Sequence, residues 1–134
     1  MLAVWKEWKL DKLLLKAYNE GTVLAGVSAG AICWFDTGIT DSWASNLNYI
    51  DCLGILPGSC CPHYDSEKDR RPSVHKFIEH EKIKSVYAIE DGAAIHFVDD
   101  APYKNISFFK NSKVFFVDKQ NSIVQEKPQK MVSI

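Results

Sequence analysis

Apolar and charged residues alternate at helical spacing over residues 2–19, where Leu2, Trp5, Trp8, Leu13, Leu14, Ala17 and Tyr18 form a stripe against lysine and glutamate positions. Gly21 stands where such a helix should stop. Residues 22–28 are then apolar and partly β-branched without alternation, the pattern of a strand buried on both faces in a parallel sheet. Residues 29–35 resume in small and apolar side chains, as a helix packed closely on a sheet would. The expected order is helix, strand, sharp turn, helix.

The stretch 36–51 is polar and reads as a loop or short hairpin. A second apolar strand is expected within residues 53–62, ending at His63. A charged turn over 65–71 leads to Pro72 at an expected first helical position, and Val74, Phe77, Ile78 and Ile83 supply the apolar stripe of that helix. Residues 84–89 form a third strand. Beyond Gly92 the pattern changes to short β runs at 93–98, 106–109, 113–117 and 123–125, separated by Asp, Asn and Lys turns. The expectation is a three-layer α/β unit: a partly parallel sheet, a turn carrying a serine, and C-terminal antiparallel hairpins. A chain of 134 residues has room for one such domain, spanning 1–134.

Charge removes several functions from consideration. With 16 basic and 17 acidic residues there is no field to gather nucleic acid or to hold an anionic membrane surface. No apolar run approaches the roughly 20 residues needed to cross a bilayer, and the first residues lack a signal-peptide core, so a cytoplasmic location is expected. The four cysteines, Cys33, Cys52, Cys60 and Cys61, have no CxxC spacing and read as buried free thiols. His75, His80 and His96 are too scattered to complete a zinc site, so neither a metal nor an organic cofactor is expected.

The pentad Gly26-Val27-Ser28-Ala29-Gly30 has the GxSxG form of a nucleophile elbow. Between a strand and a helix, such a turn is tight enough to demand small neighbours, and it forces the serine into a strained, exposed position. The amide of Ala29, opening the helix, is placed to stabilise an oxyanion. A serine hydroxyl needs a base, and His63 is the candidate because a parallel sheet would bring it to the same edge as Ser28.

The ordered segments 24–32 (LAGVSAGAI), 61–65 (CPHYD) and 89–92 (IEDG) together resemble the motifs of the peptidase E, or aspartyl dipeptidase, family, over nearly the whole chain. That resemblance implies a class I glutamine amidotransferase-like fold, with Ser28 as nucleophile and His63 as base. It implies a serine peptidase that hydrolyses short peptides through an acyl-enzyme. Four acids compete to orient the imidazole: Asp41 comes first by its position in the family pattern, then the Glu90/Asp91 pair, then Asp65. Release of a residue after an N-terminal aspartate calls for a cation facing the substrate, and Arg70 and Arg71 are the candidates. An α/β-hydrolase esterase leaves too little chain between Ser28 and His63, and glutamine amidotransferases use cysteine where Ser28 stands.

Against the family pattern, the sequence begins within the helix that precedes the nucleophile strand. A glycine-rich loop that supplies part of the oxyanion hole in the family is not seen, nor are the family's earlier strands. The expectation is a truncated relative of weak activity whose Trp5 and Trp8 lack a cover, with a homo-oligomer covering the exposed sheet face as one rescue. The alternative is a catalytically inactive remnant that acts as a binding or interaction domain.

Overall fold

The stripe over residues 2–19 folds as two helices, α1 (Leu2–Glu7) and α2 (Leu10–Asn19), where the sequence predicts one. The break falls at Lys9, which is left-handed at φ 57°; with neither glycine nor proline there, nothing in the sequence announces it. The predicted stop is real. Gly21 takes φ 86°, its N–H bonds to the Tyr18 carbonyl, and the Thr22 N–H reaches back to Ala17 at 2.9 Å, a Schellman ending for α2.

The structure, a computed structural model, describes residues 1–42 and 44–134; Trp43, inside the expected loop or hairpin, lies outside them. The strand expected at 22–28 is absent. These residues form no regular element and pair with no strand among the described residues, and Val23 and Val27 are 90% and 84% exposed. An apolar run makes a strand only where a neighbouring backbone takes its hydrogen bonds, and none lies alongside. The helix expected at 29–35 is also shorter: α3 covers Ala29–Ile32, and β1 begins at Phe35 (Phe35–Thr40). Here pairing overrides the small-residue pattern, because β1 lies parallel to β3 (Leu56–Cys61) and antiparallel to β2 (Asn48–Asp51). α3 crosses β1 at Gly38, where a Cβ would stand 2.8 Å from the Ile32 side chain.

The expected helix after the charged turn is α4 (Arg70–Glu79), with Pro72 at its third position rather than its first. The third strand is β4 (Ser85–Ile89), parallel to β3. The antiparallel β7 (Val114–Gln120) and β8 (Ile123–Pro128) complete one sheet in the order β2-β1-β3-β4-β7-β8. A second sheet, ordered β5-β6-β9, is built from β5 (Ala93–Val98), β6 (Ala101–Ser107) and β9 (Met131–Ser133). The fold is the expected mixed α/β arrangement in three layers.

Two cores lie on the two faces of the larger sheet. On the α4 face, Ile39, Cys61, Val74, Ile78, Val86, Ala88 and Val117 are buried together. On the other, Ile32, Phe35, Cys52, Leu56 and Cys60 cluster with Tyr87 and Phe97. The adjacent Cys60 and Cys61 thus divide between the faces, as successive strand residues must. All four cysteines are buried free thiols; burial pushes Cys61 up to about 12 and Cys33 and Cys52 up to about 11.

Candidate active site

Ser28 sits at the N-cap of α3 with φ 53° and ψ −118°, a conformation that L residues rarely hold without surrounding constraint. The constraint is visible in Gly26. A Cβ there would stand 1.9 Å from the Gly30 carbonyl oxygen, so the turn closes only over glycine. At Gly30 itself a Cβ would meet nothing within 4 Å, so only the first glycine of the pentad is sterically required. The Gly30 N–H is spent on the Val27 carbonyl, whereas the Ala29 N–H opens the helix, where no intrahelical acceptor exists.

His63 follows β3 by two residues and also takes a positive φ, 55°. Both chemically competent side chains therefore ride on strained backbone just beyond regular elements. The Ser28 hydroxyl donates to His63 Nε2 at 2.8 Å, and His63 Nδ1–H donates to Asp91 Oδ1 at 2.7 Å. These roles follow from chemistry, because an ionised carboxylate can only accept; Nδ1 then carries the proton and leaves Nε2 as the acceptor. The Ser66 side chain, and after it His63, hold the Asp91 carboxyl below the usual carboxylate range.

Sheet register explains why Asp91 is the acid that His63 meets. Cys61 of β3 pairs with Ala88 of β4, so the residues that leave the two strands emerge side by side at one edge. Asp41, placed first in the sequence reading, lies exposed in the bend after β1, and the carboxylate that meets the His63 ring is that of Asp91. Glu90 points elsewhere, accepting from the Lys113 N–H at 2.8 Å and lying 3.8 Å from Arg71. Asp65 turns to the main chain instead: its Oδ1 accepts the Asp91 N–H at 2.9 Å.

The two arginines are both engaged within the protein. Arg70 is buried, with Nε on Glu67 at 2.7 Å and a terminal nitrogen on the Ile39 carbonyl at 3.0 Å, so its guanidinium belongs to the core of the turn. Arg71 is half exposed but occupied. It bonds Glu126 at 2.6 Å and stacks over Tyr64 at 4.6 Å. Glu126 also takes Tyr64 and His75, so charge around the open depression lined by Tyr64, Asp65, Lys68, Arg71, Pro72 and His75 is largely compensated.

Sequence reasoning missed three contributors. Ser66 lowers the Asp91 carboxyl pKa, the Ser112 hydroxyl donates to the Asp91 carbonyl at 2.7 Å, and Gly92, at φ 76°, admits the Phe109 ring where a Cβ would stand 2.2 Å from it. Ser112 carries no signal in the sequence; Gly92 does, as a glycine directly after a strand-edge acid. Among the described residues no group of three His, Cys, Asp or Glu side chains stands close enough to hold a metal ion. No described helix is long and apolar enough to cross a membrane.

A mixed α/β sheet with a serine, a histidine and an aspartate in hydrogen-bonded series at one edge is an arrangement that hydrolases use. The family model described as Peptidase family S51 matches residues 1–103, and the chain belongs to that family, as the peptidase E resemblance implies. The chain is also similar to a protein of Bacillus subtilis (strain 168) named uncharacterized peptidase YgaJ, with 50% identity over 117 residues. That match takes in 87% of this chain and 50% of the other, so the chain spans about half the length of the curated relative.

Proposed function

We propose that this chain carries the nucleophile, base and orienting acid of a serine peptidase acting on short peptides. His63 Nε2 takes the proton of the Ser28 hydroxyl as its oxygen attacks the scissile carbonyl, and the imidazolium formed is held by Asp91. The Ala29 N–H faces the developing oxyanion. The imidazolium then protonates the leaving amine, and water, deprotonated by the same imidazole, releases the acyl group from Ser28. Neither a metal nor an organic cofactor enters these steps.

The observation that carries this reading is the unbroken series Ser28 Oγ to His63 Nε2 at 2.8 Å and His63 Nδ1 to Asp91 at 2.7 Å. Its substrate class comes from the family: dipeptides with an N-terminal aspartate are the first to try, in the cytoplasmic setting expected from the sequence. Arg70 and Arg71 are not offered as the cation that would select such an aspartate, since both are engaged within the protein. The test is release of free amino acid from a panel of Asp-Xaa and neutral dipeptides. Hydrolysis that disappears in Ser28→Ala supports the reading; equal hydrolysis by Ser28→Ala overturns it.

A second reading rests on the exposure of residues 22–27. With Val23 and Val27 out in solvent, the elbow is entered from chain that no strand braces, which favours a catalytically weak domain that binds through its apolar N-terminal surface, in its simplest form to a second copy. Sedimentation separates the two: a folded monomer that hydrolyses peptides removes this reading.

A further inference from the structure

The segments 63–65 and 89–91 leave neighbouring parallel strands and remain cross-linked after the sheet ends. The Tyr64 N–H donates to the Ile89 carbonyl at 3.1 Å, continuing the ladder by one step. At the next step the main chains no longer pair, and the Asp65 carboxylate takes over as acceptor for the Asp91 N–H at 2.9 Å. In return, the Asp91 carboxylate accepts from the His63 ring. Each segment thus grips the other through one carboxylate. From the far side, the Ser112 hydroxyl donates to the Asp91 carbonyl at 2.7 Å. The loop bearing Ser112 is itself folded against this corner, since the Phe108 N–H bonds the Gly92 carbonyl at 2.8 Å and Phe109 lies on the bare Cα of Gly92.

We infer that Asp65 and Ser112 are positioning residues that clamp the two peptide groups flanking the Asp91 side chain and so fix where its carboxylate meets His63. The reason to need such a clamp lies in exposure. The Asp91 side chain is 45% exposed and sits in a turn, where packing alone does not hold a rotamer. Fixing the N–H and the carbonyl of the residue leaves its side-chain torsions as the remaining freedom, and His63 takes those up from the other end. A carboxylate two residues after the base therefore acts on the main chain of the orienting acid, not on the imidazole.

This inference rests on the reading that Asp91 orients His63, and the test separates the two. On the intact chain, the low-field Nδ1–H resonance of His63 is followed by proton NMR, with its rate of exchange with water, in Asp91→Asn, Asp65→Ala, Asp65→Asn and Ser112→Ala. Loss of the signal is expected in Asp91→Asn. In Asp65→Ala and in Ser112→Ala it should remain but exchange about tenfold faster, the effect of one lost hydrogen bond. Asp65→Asn keeps a carbonyl oxygen for the Asp91 N–H and should restore most of the protection, which a general charge effect would not do. A signal lost in Asp91→Asn with wild-type exchange in both Asp65→Ala and Ser112→Ala overturns the clamp alone. Equal deficits in Asp65→Ala and Asp65→Asn also overturn it. A signal absent in the wild type, or unchanged in Asp91→Asn, overturns the orienting role of Asp91 and the clamp with it. Should Asp65→Ala fail to fold, Asp65→Asn and Ser112→Ala decide the matter.

Discussion

Residues 1–28 and the sheet that follows them are built to different standards. α1 and α2 bury none of their residues, Trp8 is 79% exposed, and the segment leading to Ser28 makes no ladder among the described residues. The β1–β3–β4–β7 region buries Ile39, Cys60, Cys61, Val86, Ala88, Val114 and Val117 almost completely. The hydrogen-bonded series spans the divide: His63 and Asp91 leave the well-packed sheet, whereas Ser28 is delivered by the loosely held segment. His63 and Asp91 are thus fixed by the core, and Ser28 by its own turn. Gly26 and the short bonds of α3 place the hydroxyl.

That contrast can be broken at its reactive end first. Asp91→Asn keeps the shape but favours the wrong imidazole tautomer, and should lower peptide turnover by about 10³–10⁴-fold, measured as kcat with folding checked by circular dichroism. Gly26→Ala attacks the turn instead. Its methyl cannot coexist with the Gly30 carbonyl at 1.9 Å, so the serine must shift; a displacement near 1 Å should cost about 10²-fold in kcat, measured on protein whose folding is checked by circular dichroism. A Gly26→Ala protein that keeps full activity would show that the turn does not place Ser28.

Stability sharpens the same comparison. Ile78, 1% exposed beneath the sheet, should cost about 2–5 kcal/mol when changed to alanine, whereas Leu13→Ala on α2, at a site 61% exposed, should cost under about 0.5 kcal/mol in denaturant titrations. Equal costs would mean that the N-terminal helices are as firmly held as the sheet.

Smaller still is the acid dependence. The folded state lowers the Asp91 carboxyl below its unfolded value, so its ionised form favours folding above the unfolded pKa, and that advantage disappears as pH falls through the lower folded value. The melting temperatures of wild type and Asp91→Asn should therefore differ at neutral pH and converge only below the ordinary aspartate range. Convergence well above that range would contradict the Ser66 and His63 contacts.

Where local pattern and tertiary pairing agree, the chain is readable: β3, α4, β4, β7 and β8 fall where apolar period and turn residues put them. The failures share a cause. The run at 22–28 has strand chemistry but no partner, and residues 35–40 form a strand because β3 lies beside them; in both, the neighbour decides. At the site, Ser28 and His63 are legible because elbow spacing and strand ends are local features. Asp91 over Asp41 is not, since the choice depends on the register of β3 against β4, which no single stretch of sequence encodes. The internal partners of Arg70 and Arg71 are hidden for a similar reason: Ile39 and Glu126 are distant in sequence.

The most direct test of the Ser28–His63–Asp91 series is covalent capture of the serine by a fluorophosphonate, with the adduct located by peptide mass mapping. The geometry predicts a single modification on Ser28, in folded protein, that His63→Ala suppresses. Folded protein left unmodified at Ser28, or modified there equally well without the His63 imidazole, would contradict it.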